Sequence, residues 1–211
     1  MFEEKSSALI EPEELLGKLS DRIPVKIIDA SFFMPGQSND QQGVYKSKRI
    51  GNAVFFDIDE IADRESSLPH MLPSQEAFSR AVSELGISND DEVVIYGQSS
   101  IAMGPARAWW MFRVFGHDNV RVLNGTLISW EQEGFPVKTS APSAPHQGAF
   151  NATYRPGLVA GLDTVRRASE EGGIAILDAR SRDRFYGNVA EPRPGLSAGH
   201  IPGSKCLPCF E

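Results

Sequence analysis

Short apolar runs alternate with helix-length amphipathic segments, and this alternation narrows the fold more than any other feature of the chain. Val93-Val94-Ile95-Tyr96 and Val120-Arg121-Val122-Leu123 have strand length, as do Val25 to Ile28, ending at Asp29, and Ala53 to Phe56. Between them, Ser74 is placed to cap a helix that repeats Phe78, Val82 and Leu85 at helical spacing. Gly86 follows, where a helix end favours a left-handed residue. Pro105 suits the first turn of a helix from Ala106 to Phe115, closed by Gly116. Glu13 to Leu19 reads as a short helix, and Asn124-Gly125 turns the chain into a last helix that carries Trp130 and ends at Gly134. Strands and helices in this order predict an α/β fold, a mainly parallel sheet with helices on both faces.

From Lys138 to about Thr153 the chain is rich in Ser, Ala and Pro and has no apolar period, the pattern of a linker. The expected division is therefore a first domain over 1–137, a linker over 138–153 and a second domain from 154 to 211. An internal repeat supports it. Leu9-Ile10 and Lys26-Ile27-Ile28-Asp29-Ala30 recur as Leu158-Val159 and Ala175-Ile176-Leu177-Asp178-Ala179, at a constant offset of 149 residues. Arg49-Ile50-Gly51-Asn52-Ala53 then pairs with His200-Ile201-Pro202-Gly203-Ser204, the offset slipping by two. Such self-similarity suggests a duplicated domain. The first copy runs about 80 residues beyond this point and the second has seven, so the second domain is expected to be incomplete.

At 211 residues with 41% hydrophobic and 23% charged residues, the chain can bury a core and shows no sign of disorder. Its net charge of -7, with no basic cluster interleaved with aromatics, argues against a nucleic-acid partner. No segment approaches the roughly 18 apolar residues that a membrane span needs, and Met1 to Leu9 has no leader pattern. A cytoplasmic protein without a membrane partner is expected. The two cysteines, Cys206 and Cys209, are too few for a disulfide framework, and with His200 they make three metal-ligand types where a structural zinc wants four.

Several motifs carry a family resemblance over nearly the whole chain. Leu177-Asp178-Ala179-Arg180, Arg184-Phe185, Glu191-Pro192-Arg193-Pro194-Gly195 and Gly199-His200-Ile201-Pro202-Gly203 resemble the opening of the catalytic domain of rhodanese-type sulfurtransferases. Phe55-Phe56-Asp57-Ile58-Asp59, Leu68-Pro69-His70-Met71-Leu72-Pro73, Trp109-Trp110-Met111-Phe112-Arg113 and Val122-Leu123-Asn124-Gly125 resemble the family's first, non-catalytic domain. The resemblance implies tandem rhodanese domains with the active site between them and a nucleophilic cysteine on a loop of the second that leads into a helix. There, backbone N–H groups favour the thiolate and its persulfide.

No residue of this chain occupies that place, so the chain is expected to end before the nucleophile and to be inactive alone. By the repeat, Cys206 aligns with Phe55 and Cys209 with Ile58, on or just after an early strand. Both are read as packing residues. The corresponding first-domain loop, Gly97 to Met103, contains no cysteine.

By the same resemblance, Arg184 and Arg193 bind the carboxylate of a 3-mercaptopyruvate substrate, for which paired guanidinium forks are suited. Asp59 and His70 match positions that help deprotonate the substrate thiol, the carboxylate orienting the imidazole. Asp57, Asp63 and Arg64 are read as loop-holding residues, and Trp109, Trp110 and Trp130 as core. The implied partners are a sulfur donor, 3-mercaptopyruvate or thiosulfate, and a thiol acceptor such as thioredoxin; no metal or organic cofactor is implied. The incomplete second domain allows self-association.

Two departures from the pattern stand out. Arg49-Ile50-Gly51-Asn52 replaces a usual His-Ile-Pro-Gly, and Thr126 stands where a second glycine is common. A non-catalytic module that binds a protein or a sulfur carrier is the competing reading. A cysteine phosphatase is disfavoured, because the chain has no Cys-x5-Arg loop.

Overall fold

The structure, a computed structural model, describes residues 8–33, 40–98, 103–192 and 195–209. The chain divides into two compact units, Met1–Arg155 and Pro156–Glu211. In the first, β1 (Leu9–Ile10) leads into α1 (Pro12–Ser20) and β2 (Lys26–Asp29). Next come α2 (Gln41–Ser47), β3 (Arg49–Ile50), β4 (Val54–Phe55) and α3 (Gln75–Glu84). β5 (Val93–Tyr96), α4 (Met103–Val114), β6 (Val120–Leu123), α5 (Leu127–Gln132) and β7 (Val137–Lys138) complete it. Five strands form one parallel sheet in the order β1-β6-β5-β2-β4. The expected α/β class holds.

Successive side chains of a strand face opposite ways, and the central strands fill both faces. On one side Ile27, Val94 and Tyr96 meet Leu15, Leu127 and Trp130 in a single core. On the other, Phe56, Phe78, Phe112 and Phe115 make an aromatic cluster between α3, α4 and the sheet, with Phe78 stacked on Phe115 at 4.3 Å. The helix ends follow their sequence signals. Ser74 accepts the amide of Ala77, and Gly86, at φ 77°, closes α3 with a bond from Ile87 N–H to the Val82 carbonyl. Of the three tryptophans expected in the core, Trp130 is fully buried. Trp109 and Trp110 are only partly covered, each beside an arginine of α4.

Among the elements that escape the sequence reading are α2, β3 and β7. α2 carries one buried residue, Tyr45, and a glycine in its first turn, so no apolar period marks it. β3 and β7 are two residues each and pair antiparallel as a separate ribbon. The departures at Arg49 and Thr126 acquire local roles: Arg49, buried, donates to the carbonyls of Ser140 and Ala141, and Thr126 caps α5 in a reciprocal pair with Ser129.

The segment expected as a linker, 138–153, packs on the first unit, and the division falls after Arg155. Beyond Lys138 its backbone makes no ladder: Gly148 and Thr153 donate to the carbonyls of Ser83 and Phe115, and other amides bond to side chains. The amides of Phe150, Asn151 and Ala152 donate to Ser83, Asn89 and Ser79. Phe150 is buried against Phe78 and Phe112, and a Cβ on Gly148 would meet the Ile87 carbonyl at 2.2 Å. A strap tied by hydroxyl and amide groups has no hydrophobic period, which is why its composition reads as a linker.

The second unit begins with a short 3-10 turn at Pro156–Leu158, followed by α6 (Leu162–Glu171), β8 (Leu177–Asp178), α7 (Arg182–Phe185) and β9 (Lys205–Cys206). β8 and β9 pair in parallel. Among the described residues of this unit, Phe185 is the one buried apolar side chain. Its partner is His200, stacked at 3.8 Å with Nδ1 2.8 Å from the Phe185 carbonyl oxygen. No helix among the described residues is long and apolar enough to cross a membrane.

Candidate functional site

After β4, Asp57 builds a turn: its carboxylate accepts the amides of Asp59 and Glu60, and its carbonyl accepts the amide of Ile61. That turn presents Asp59. The chain then loops out and returns, closed by a bond from the Asp63 amide to the Met71 carbonyl. The return brings His70 Nε2 to 2.6 Å from Asp59 Oδ1. Asp59 Oδ2 accepts from Gln41 of α2 at 3.4 Å. Of the neighbours read as loop-holding, Asp57 serves as described, Asp63 accepts the Glu65 amide, and Arg64 pairs with Glu60.

His70 has φ 57°, a left-handed backbone that costs a non-glycine residue about 1–3 kcal/mol. Phe32 meets the imidazole edge-on at 5.3 Å, and Arg107 of α4 donates to the His70 carbonyl. Phe32, Ile58, His70, Met103, Gly104 and Arg107 line a cavity of about 210 Å³ beside the ring. In the tautomer with its proton on Nε2, His70 donates to Asp59 and keeps Nδ1 as the basic nitrogen. This is the arrangement of an oriented base. The sequence reading contains Asp59 and His70 but neither Gln41 nor Arg107; Gln41 lies in the unmarked helix α2, and Arg107 is one polar residue in an apolar helix.

A second polar cluster lies at the ends of β2 and β5. Asp29 is fully buried; its carboxylate accepts the Ser31 hydroxyl at 2.6 Å, the Ser31 amide at 3.0 Å and the Gln98 amide group at 2.6 Å. Burial pushes the Asp29 carboxyl above its ordinary value, and the bonds from Ser31 and Gln98 only partly oppose it. The first-domain loop singled out above begins here at Gly97 and Gln98; its residues 99–102 lie outside those described.

In the second unit, Asp178 repeats the backbone of Asp29, with Arg180 N–H on Asp178 Oδ1 at 3.0 Å. Here the side chain at that position is an arginine. Its hydrogen bonds hold the Asp178 carboxyl down to about 2, and Arg180 also pairs with Glu191 at 2.8 Å. Arg184, on α7, is bound by the same Glu191, whose side chain is 3% exposed. Arg184's hydrogen bond keeps Glu191 below the usual carboxylate range. Arg193 lies outside the described residues. Cys206 is on β9, opposite Asp178, as Phe55 is opposite Asp29; Cys209 is exposed, its amide on the Ala179 carbonyl.

A parallel α/β sheet in this order, with an acid–histidine pair beyond β4 and an arginine set beyond β8, defines the class. The rhodanese-like domain model matches residues 11–133, and the chain belongs to that family. It is 44% identical over 204 residues to thiosulfate/3-mercaptopyruvate sulfurtransferase 1, mitochondrial, of Arabidopsis thaliana, covering 87% of this chain and 54% of the relative. It is 41% identical over 188 residues to the 3-mercaptopyruvate sulfurtransferase of Escherichia coli K12, covering 89% of this chain and 66% of the relative. The chain thus spans between about half and two thirds of these relatives. The crystal structure of SseA from Escherichia coli superposes with a TM-score of 0.85 at 35% identity, over 96% of this chain and 75% of SseA.

Proposed function

We propose that this chain supplies the first domain and the substrate-binding opening of the second domain of a sulfurtransferase acting on 3-mercaptopyruvate or thiosulfate, the donors named in its relatives. The observation that carries this reading is the Asp59–His70 contact at 2.6 Å. In the reaction, a cysteine thiolate attacks the substrate sulfur, forming an S–S bond while the C–S bond breaks. Pyruvate leaves as its enolate and takes up a proton, and a thiol acceptor such as thioredoxin then removes the persulfide's outer sulfur. His70, oriented by Asp59, takes the proton of the substrate thiol. Arg184, held by Glu191, and Arg193 bind the substrate carboxylate.

The 211 residues by themselves are expected to show no turnover, because persulfide chemistry requires a thiolate at the focus of a dipole-lined loop. Cys206 sits on a strand and Cys209 just beyond it, which in the isolated chain favours a binding module. Fusing the remaining C-terminal sequence of the Escherichia coli relative should restore pyruvate release from 3-mercaptopyruvate. In that fusion, Arg193→Ala should raise KM roughly tenfold or more, the loss of a charge-assisted bidentate contact, while replacing both cysteines by Ser should change the rate less than about twofold. Turnover by the unextended chain, lost on replacing Cys206 or Cys209, would overturn the placement of the nucleophile.

A further inference from the structure

His70 is held at three points, two on its ring and one on its backbone carbonyl, and the backbone restraint comes from a helix far along the chain. Asp59 takes Nε2, Phe32 packs the ring edge, and Arg107 takes the carbonyl of the same residue. The third restraint matters because residue 70 is in the left-handed region, where a histidine stays only if the surroundings hold it. Arg107 is itself fixed. Its guanidinium lies 4.8 Å from the Trp110 ring, and its Nε is buried without a hydrogen-bond partner among the described residues. Three residues earlier, α4 presses on the end of β2 so closely that a Cβ on Gly104 would meet the Ala30 carbonyl oxygen at 1.9 Å. The helix therefore cannot slide, and the arginine arrives at one height above the strand ends.

We propose that Arg107 is a positioning residue for sulfur transfer: it locks the backbone of residue 70 left-handed and so aims the imidazole at Asp59 and the substrate. This rests on the reading of His70 as the proton acceptor. A guanidinium suits the task, since a planar donor fixed over an indole loses little freedom when it bonds a carbonyl, whereas the flexible ammonium of a lysine would lose more. Without Arg107, residue 70 relaxes to negative φ and the ring leaves the Asp59 carboxylate.

The test is the nitrogen spectrum of the histidine rings in the 15N-labelled 211-residue chain, with Asp59→Asn as the reference for a lost contact. Arg107→Met should move the His70 ring nitrogens in the direction of Asp59→Asn and at least half as far, and Arg107→Lys should fall between Met and wild type. His200, in the second unit, should stay unmoved. If Arg107→Met does not fold, the lysine variant is read against the same reference. Wild-type His70 ring shifts in the folded arginine variants, whatever their melting temperature, would overturn the proposal. In the fusion enzyme, Arg107→Met should lower kcat roughly tenfold with KM changed less than about twofold, because orientation acts on the proton-transfer step. Full activity of His70→Gln would remove the catalytic reading, while the ring shifts decide the positioning on their own.

Discussion

Asp29 and Asp178 each end a strand that pairs in parallel with a neighbour, opposite Phe55 in one unit and Cys206 in the other. Each accepts the amide of the residue two positions on. The backbone is the same to that point, and the electrostatics are opposite. Asp29 is buried at the end of a strand within a five-stranded parallel sheet, among neutral partners, and its carboxyl is pushed up by burial. Asp178 ends a two-stranded sheet and is pulled down by Arg180. A β-strand end with an aspartate is thus a fixed piece of geometry on which the surroundings decide between a buried polar hub and an ion-pair site. The second kind carries arginines arranged by carboxylates, Arg180 by Asp178 and Glu191 and Arg184 by Glu191.

The largest test of this contrast is backbone protection. Val94 and Ile95 are fully buried on a central strand, whereas Leu177 and Leu207 are 58% and 60% exposed. Hydrogen exchange at Val94 and Ile95 should be slower than at Leu207 by about a thousandfold or more, since global opening costs several kcal/mol and local opening little. Equal protection in a proven monomer would erase the difference between the units.

Aromatic truncation sharpens it. Phe78→Ala removes a ring that touches four others and should destabilise the first unit by about 3–5 kcal/mol in denaturant unfolding. Phe185→Ala removes the stacking partner of His200 and should abolish protection in the second unit while leaving the first unit's midpoint unchanged. A drop in the first unit's midpoint would show that the two do not melt separately.

The pH dependence should differ in sign. A carboxyl held down to about 2, against an ordinary 3.8, contributes stability that is present above pH 4 and is lost as pH falls toward 2. Asp178→Asn should therefore flatten the acid loss of the second unit. Asp29 has its carboxyl raised, so its ionisation opposes folding, and this contribution improves as pH falls from its folded value toward 3.8. Carboxyl 13C titrations of the two residues should bracket the ordinary aspartate midpoint from opposite sides; midpoints on the same side would contradict the contrast.

The smallest effect is at the helix starts. Ser74 accepts an amide at the N-cap of α3, and Ser181 makes no such bond at the N-cap of α7. Ser74→Ala should cost about 1 kcal/mol in unfolding free energy and Ser181→Ala only a few tenths. A larger loss at Ser181 would reveal a cap the second unit uses.

Where the sequence could be read, the signal was local and periodic. Val93–Tyr96 and Val120–Leu123 match the expected strands residue for residue; the first is buried on both faces and so apolar throughout, and the second is apolar but for Arg121, which pairs with Glu14 and Glu92. The helices around Phe78 and Phe112 were legible from spacing and from glycines that close them. Helix α2 and the 138–153 strap were not, since one relies on a single buried tyrosine and the other on hydroxyl and amide partners scattered over α3 and the loop after it.

The site divides in the same way. Motif resemblance named Asp59, His70, Arg184 and Arg193, and the acid–histidine contact is a property of one loop of sequence. That Arg107 and Gln41 converge on this pair depends on where α4 and α2 are packed, as does the burial that raises Asp29. Periodicity and turn chemistry are written in neighbouring residues, so the sequence by itself determined the main strands and helices of the first unit, and motif resemblance marked the candidate acid, histidine and arginines. Contacts between residues 37 positions apart, such as Arg107 with His70, depend on sheet order and helix height, and only the tertiary structure decided those.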